Sequence, residues 1–345
     1  MAAAAETYRA IGVCTSRGLE WRAMRRIFIN GFGRVRSGWR ALIFVGAFLA
    51  VILVVVTIIR IILVNLQEFG HASPFIDYIA DLVFRFMLLI GAFVAGYLCA
   101  RFLEGLPWRS LGLTFHHAWL RDLVVGFVIG CAALAVAVGI AAAGGGLRFS
   151  FAGSILSLGR SLVAVTPLLF VAALAEEGIF RGYTLQTFAR AHLAWVGVLV
   201  TLVFFGYVHL SNPNATPGMT FTNTALAGLW LAVGYLRTRS MWFPLGLHWS
   251  WNWALGWVFG LPVSGATIVS HPLLQGADLG PVWLTGGNYG IEGGVAATVA
   301  LVLFTLFTWR TRLVSATPEM KKLTSEETFA GATRELPMSP TEETA

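Results

Sequence analysis

Two adjacent carboxylates, Glu176 and Glu177, stand at the end of a long apolar run, and Arg181 follows one helical turn later. A charged group at the centre of a membrane helix costs about 2.5–3.5 kcal/mol, so each acid needs a partner, a proton or a chemical task. Successive helical residues point about 100° apart, so the two acids cannot face one centre, whereas Glu177 and Arg181 at i and i+4 can pair on one face. Glu177 then reads as structural and Glu176 is left free. Two later stretches supply residues to meet it: Phe205 with His209, and His248 with Asn252, where the last two again share a face.

Brought together, these side chains could activate water. A buried glutamate beside His209 can hold a water and take its proton, while His248 and Asn252, one turn apart, can both donate to a developing oxyanion. The same set read as ligands, Glu176, His209 and His248, leaves a fourth position open for water on a Zn2+ ion, as in hydrolytic zinc sites. Spacing does not choose between glutamate-activated and metal-bound water. The H-E-x-x-H pattern is absent. A serine or cysteine nucleophile is disfavoured, because the chain has no G-x-S-x-G elbow and no cysteine near these histidines. The plainer readings are an ion pair for Glu177 with Arg181, packing for Phe205, and packed, carbonyl-satisfied rings for His71, His116, His117, His192 and His271.

The elements that must carry these residues are membrane helices. Hydrophobic residues make up 57% of the 345-residue chain and charged residues only 12%, which is outside the range of soluble domains. Apolar runs long enough to cross a bilayer, or nearly so, occur at 41–64, 76–100, 123–146, 155–175, 193–210, 221–236, 241–261 and 293–308, giving an all-α bundle of eight transmembrane helices around a polar cavity. Asp81 and Arg85 in the second run can neutralise one another at i and i+4. The net charge of +7 lies in loops beside the apolar runs, so it points to membrane orientation and not to nucleic acid. Arg and Lys collect on one face of that count, which places both termini in the cytoplasm of a multi-pass protein, in the plasma membrane. Cys14, Cys99 and Cys131 have neither disulfide-framework nor zinc spacing, and Cys99 and Cys131 read as core residues. The chain divides into a basic flank (1–40), accessory helices (41–150), a core bearing the polar residues (151–262), a polar loop with the last helix (263–314) and a disordered tail (315–345).

E-E-x-x-x-R at Glu176, Glu177 and Arg181, F-x-x-x-H at Phe205 and His209, and H-x-x-x-N at His248 and Asn252, in that order on separate helices, resemble the CAAX-protease and bacteriocin-processing family of intramembrane endopeptidases. The resemblance covers roughly 155–261. It implies that Glu176 and His209 activate water, that His248 and Asn252 stabilise the oxyanion, and that Glu177, Arg181 and Phe205 support the site. It implies a peptide or lipidated-protein substrate, such as a prenylated CAAX C-terminus or a bacteriocin-related peptide, met at the lipid bilayer. Two other classes fit the same residues: a non-catalytic immunity or scaffold protein keeping the cluster for packing, and an ion-coupled transporter, whose broken helices in symmetry-related halves are not visible.

Overall fold

A computed structural model of the chain describes residues 27–30, 33–68, 74–151 and 153–325. Cys14, His71 and most of the basic flank lie outside them. Among the described residues the architecture is helical: α1 (Ser37–Glu68), α2 (Pro74–Cys99), α3 (Trp119–Ala143), α4 (Ile155–Glu177), α5 (Leu185–Arg190), α6 (Ala194–Val208), α7 (Pro217–Thr238), α8 (Trp242–Trp253), α9 (Val282–Thr285), α10 (Val295–Arg310) and α11 (Pro318–Thr324).

Five segments, Ser37–Asn65, Tyr78–Glu104, Trp119–Ala143, Ile155–Arg190 and Ala194–Ser211, are long and apolar enough to cross a membrane. The chain is therefore a multi-pass helical membrane protein. The other three expected spans correspond to α7, α8 and α10, which fall short of that standard in length or apolarity. Exposed Leu, Ile, Val and Phe cover the outside of α1, α2 and α6, as a lipid-facing surface requires.

Lipid tails give helices little hydrophobic reason to associate, so close packing depends on small residues. α3 and α8 meet in this way. A Cβ at Gly126 would lie 2.3 Å from the Phe243 carbonyl, one at Gly130 would lie 2.5 Å from the Leu247 carbonyl, and one at Gly246 would lie 2.3 Å from the Leu123 carbonyl. The two backbones touch along Phe243–Leu247, the turn that leads into His248, and hold that helix against α3, where Phe243, Leu245 and Leu247 are fully buried.

At one end of the bundle, Glu104 is buried between Arg40 (3.2 Å) and Arg190 (2.7 Å) and accepts from Thr187 (2.6 Å), tying the starts or ends of α1, α2 and α5 together. The expected 263–292 loop is more ordered than a polar, glycine-rich composition implies. Leu274–Asp278 (β2) pairs antiparallel with Leu147–Phe151 (β1), in a register from Leu147 opposite Asp278 to Phe151 opposite Leu274. Helical periodicity cannot reveal this pairing, because the two strands are far apart in sequence and short. The start of the expected disordered tail is ordered through 325, and the rest of it lies outside the described residues. The Thr317 hydroxyl caps α11 by accepting from the Met320 N–H, and Met320 is fully buried.

Candidate functional site

The apolar helix α4 delivers Glu176 and Glu177 at its last two positions, and Gly178 begins a run of π-helical turns to Thr184. A Cβ at Gly178 would lie 2.9 Å from the Phe93 ring, so the glycine lets α2 pack directly beside the acids. Widened turns of this kind recur where a helix presents functional side chains. His209 ends α6, and His248 and Asn252 lie on α8, which passes into a second π-helical segment at Ala254–Val258.

Glu177 is fully buried, and its Oε1 accepts from Arg181 Nη1 at 3.1 Å and lies 2.9 Å from His248 Nδ1. Arg181, also fully buried, donates through Nη2 to the Gly228 carbonyl at 3.0 Å and stands 4.8 Å from the centre of the Phe205 ring. The ion pair expected from i,i+4 spacing is present. Phe205 does more than pack: its face receives the guanidinium, its ring lies 4.6 Å from that of His209, and its carbonyl is 2.7 Å from His209 Nδ1.

Glu176 points elsewhere. Its side chain is 31% exposed, and its Oε2 lies 3.9 Å from His209 Nε2 and 3.7 Å from His248 Nε2, with no hydrogen bond of its own. Both imidazole Nδ1 atoms are committed, one to a carbonyl and one to a carboxylate, so both rings turn Nε2 towards Glu176. The gaps are too long for direct hydrogen bonds. They suit an inserted group that bridges these three atoms. A water meets that requirement. By donor type so does a divalent cation, since Glu176, His209 and His248 supply one carboxylate and two imidazoles, with Glu177 and the Phe205 carbonyl orienting the rings from behind. Among the described residues, however, no group of three His, Cys, Asp or Glu has the arrangement of a metal cluster.

Glu176, His209 and Asn252 line an open cavity of about 460 Å3. Behind it, a space of about 40 Å3, enough for a water molecule, is bounded by His209, His248 and Asn252 together with Asn223, Tyr289 and Glu292. Glu176, His209, His248 and Asn252 therefore border two neighbouring spaces that share His209 and Asn252 as walls.

Glu292 was missed. It accepts from the Trp251 indole at 2.9 Å and from the Ser264 backbone N–H at 2.6 Å, joining the loop after α8 to α8 itself. Burial pushes its carboxyl above the ordinary carboxylate range, against the opposing pull of those two donors and of His209 and His248. Asn223 was also missed. It donates to the Glu292 and Gly294 carbonyls and accepts from Thr298, which seats this loop on α7 and α10. The one available signal was an acid at the border of an apolar run, a weak one inside a glycine-rich loop.

Residues 158–254 match the family model described as type II CAAX prenyl endopeptidase Rce1-like. That segment holds Glu176, Glu177, Arg181, Phe205, His209, His248 and Asn252 and ends before Glu292. Comparisons with curated proteins and with solved structures gave no match.

Proposed function

We propose that the protein is an intramembrane endopeptidase in which a water held between Glu176 and His209 attacks a peptide carbonyl. The observation that carries this reading is the convergence of the Glu176 carboxylate on the Nε2 atoms of both histidines, at the edge of an open cavity. Glu176 takes the proton of the water as it adds to the carbonyl, and later gives it to the departing amine. Asn252 and a protonated His248 donate to the oxyanion. With Nδ1 held by Glu177, a proton on His248 Nε2 points into the site, and the cluster of two carboxylates and one guanidinium becomes neutral.

A lipidated substrate is favoured by the neighbouring space. An apolar groove of about 830 Å3 between α1 and α6 shares Phe48, Ile179, Phe180 and Val208 with the cavity of Glu176, so an isoprenoid or acyl chain lying there would bring its attached peptide to the acid. We place both termini on the cytoplasmic side, from the arginines of the flanks and of the connections after α2 and α7.

The test is turnover of a fluorogenic prenylated peptide by purified protein and by Glu176→Gln, each with and without chelator. We expect Glu176→Gln to lose about 10²–10⁴-fold in kcat. Unchanged turnover in a folded Glu176→Gln protein would remove the acid from the reaction. Loss of activity on chelation, with recovery on adding zinc, would assign Glu176, His209 and His248 as ligands of an ion that polarises the carbonyl and acidifies the water.

A further inference from the structure

Arg160 is the sixth residue of α4, and the proposed reaction does not use its charge. Arg85 of α2 is neutralised by Asp81 at 2.8 Å, and Arg181 by Glu177 at 3.1 Å. Arg160 has no such counterpart: among the described residues it makes no side-chain hydrogen bond and no ion pair. It lines an open hollow of about 350 Å3 with Ser154, Ser157 and Ser161 from the start of α4 and with Ser270 and His271 from the loop after α8. Ser154 and Ser157 satisfy one another in a capping box. The hydroxyls of Ser161 and Ser270 and the ring of His271 are, like Arg160, without a hydrogen-bond partner among the described residues, and no described carboxylate lines the hollow. A guanidinium, an imidazole and uncommitted hydroxyls converging from two segments suit an anion with several oxygens, and a phosphate group has that form.

The depth of the hollow says which phosphate it meets. The segment Ile155–Arg190 has 36 residues. At ~1.5 Å per residue it is about 50 Å long, against about 30 Å for the hydrocarbon core of a bilayer, so its ends reach the head-group layers. Arg190, bonded to Glu104, marks one end, and Arg160 stands one to two turns from the other. Ile155, Leu156 and Val163 beside it are exposed apolar side chains, which sets the hollow against lipid. An arginine at that depth turns its head towards the lipid phosphates.

We propose that the hollow binds the phosphodiester of an anionic membrane lipid, with Arg160 and Ser161 holding the phosphate oxygens from α4 and Ser270 and His271 holding them from the loop. A head group that ends in an ammonium finds no carboxylate there to receive it, so phosphatidylglycerol is preferred to phosphatidylcholine. Binding reaches the rest of the molecule through the loop. Ser270 and His271 follow Ile268, which lines the cavity of Glu176, and Val269, which packs with Val165 and Leu169 of α4. A bound head group therefore pins this loop to α4 and stiffens one wall of the cavity.

The test is native mass spectrometry of the full chain in detergent, with phosphatidylglycerol and phosphatidylcholine of identical acyl chains offered together. We expect wild type to retain phosphatidylglycerol about fivefold or more over phosphatidylcholine, the scale of one basic residue near an anionic surface. Arg160→Gln/His271→Gln, at two exposed positions, should bring that ratio close to one. Arg148→Gln, which removes an exposed arginine of β1 outside the hollow, should leave the ratio unchanged. In nanodiscs, replacing phosphatidylcholine by phosphatidylglycerol should slow hydrogen exchange of residues 263–272 in wild type and not in the double variant. No head-group preference in wild type, a preference that survives the double substitution, or an equal loss in Arg148→Gln would overturn the site. Exchange that ignores the lipid would overturn the pinning of the loop. The same protection given by inorganic phosphate in phosphatidylcholine nanodiscs would overturn the lipid as ligand and assign the hollow to a soluble phosphate. None of these measurements reads turnover, so the lipid site and the protease reading stand or fall separately.

Discussion

The acids Glu176 and Glu177 are neighbours in sequence and differ in every physical respect. Glu177 is fully buried and shared between Arg181 and His248, so its loss leaves a guanidinium without its counter-charge in the interior. We expect Glu177→Ala to destabilise the protein by about 3–5 kcal/mol, the usual consequence of breaking a buried ion pair, read as a lowered Tm in detergent. Glu176 Oε2 carries no such bond, and Glu176→Gln should leave Tm nearly unchanged while lowering kcat by about 10²–10⁴-fold. Opposite responses of Tm and kcat to the two substitutions would establish the division of labour. Glu292 makes a third case. Glu292→Gln keeps one acceptor for two donors, so either the Trp251 indole or the Ser264 N–H loses its partner, at about 1–3 kcal/mol. Faster limited proteolysis in the 262–294 loop would report it.

The elements succeed because small residues let polar ones approach. Helix α8 presents His248 and Asn252 inward only while Gly126, Gly130 and Gly246 allow its backbone to lie against α3. A methyl group at Gly246 would meet backbone at 2.3 Å and 2.8 Å, and backbone cannot swing aside as a side chain can. Gly246→Ala should therefore push α8 away from α3, lower Tm and reduce kcat through displacement of His248. Gly139→Ala on α3 has open space around it and is the control, expected to be neutral or slightly stabilising because alanine is the better helix former. Equal behaviour of the two substitutions would show that close approach at Gly246 does not position the site.

Across the whole molecule, buried polar clusters outside the site join the ends of helices. His116 is buried in the connection before α3. Its Nε2 is 3.1 Å from the Ser240 hydroxyl and 3.7 Å from Asp122, and its Nδ1 accepts from the Ala118 N–H. It was expected to be a packed ring satisfied by a carbonyl; a serine hydroxyl and a backbone amide satisfy it instead. Burial lowers its pKa, Asp122 and Glu319 pull it up, and His117 and Arg121 push it down, with burial prevailing. A lowered histidine pKa means that the unfolded chain binds the proton more readily. Its contribution to stability is therefore complete above the ordinary value near 6.5 and is lost as pH falls through the folded value. Tm should fall on acidification below about pH 6.5, and His116→Gln should flatten that dependence. An unchanged slope in the variant would assign the effect to other groups.

Composition and hydropathy alone determined that this is a helical membrane protein, because no other way of satisfying the backbone fits so many long apolar runs. Helical spacing also foretold the Glu177–Arg181 and Asp81–Arg85 pairs and the shared face of His248 and Asn252, since one helical turn is a local matter. Only the tertiary structure decided which distant residues meet. It gave Glu177 a second partner in His248, turned Phe205 from packing into a seat for a guanidinium, and brought Glu292 to the back of the cavity from a loop that read as polar linker. Periodicity records which way a side chain points on its own helix. Which helix stands opposite is set by glycine contacts and buried ion pairs between segments far apart in the chain, and these leave no period to read.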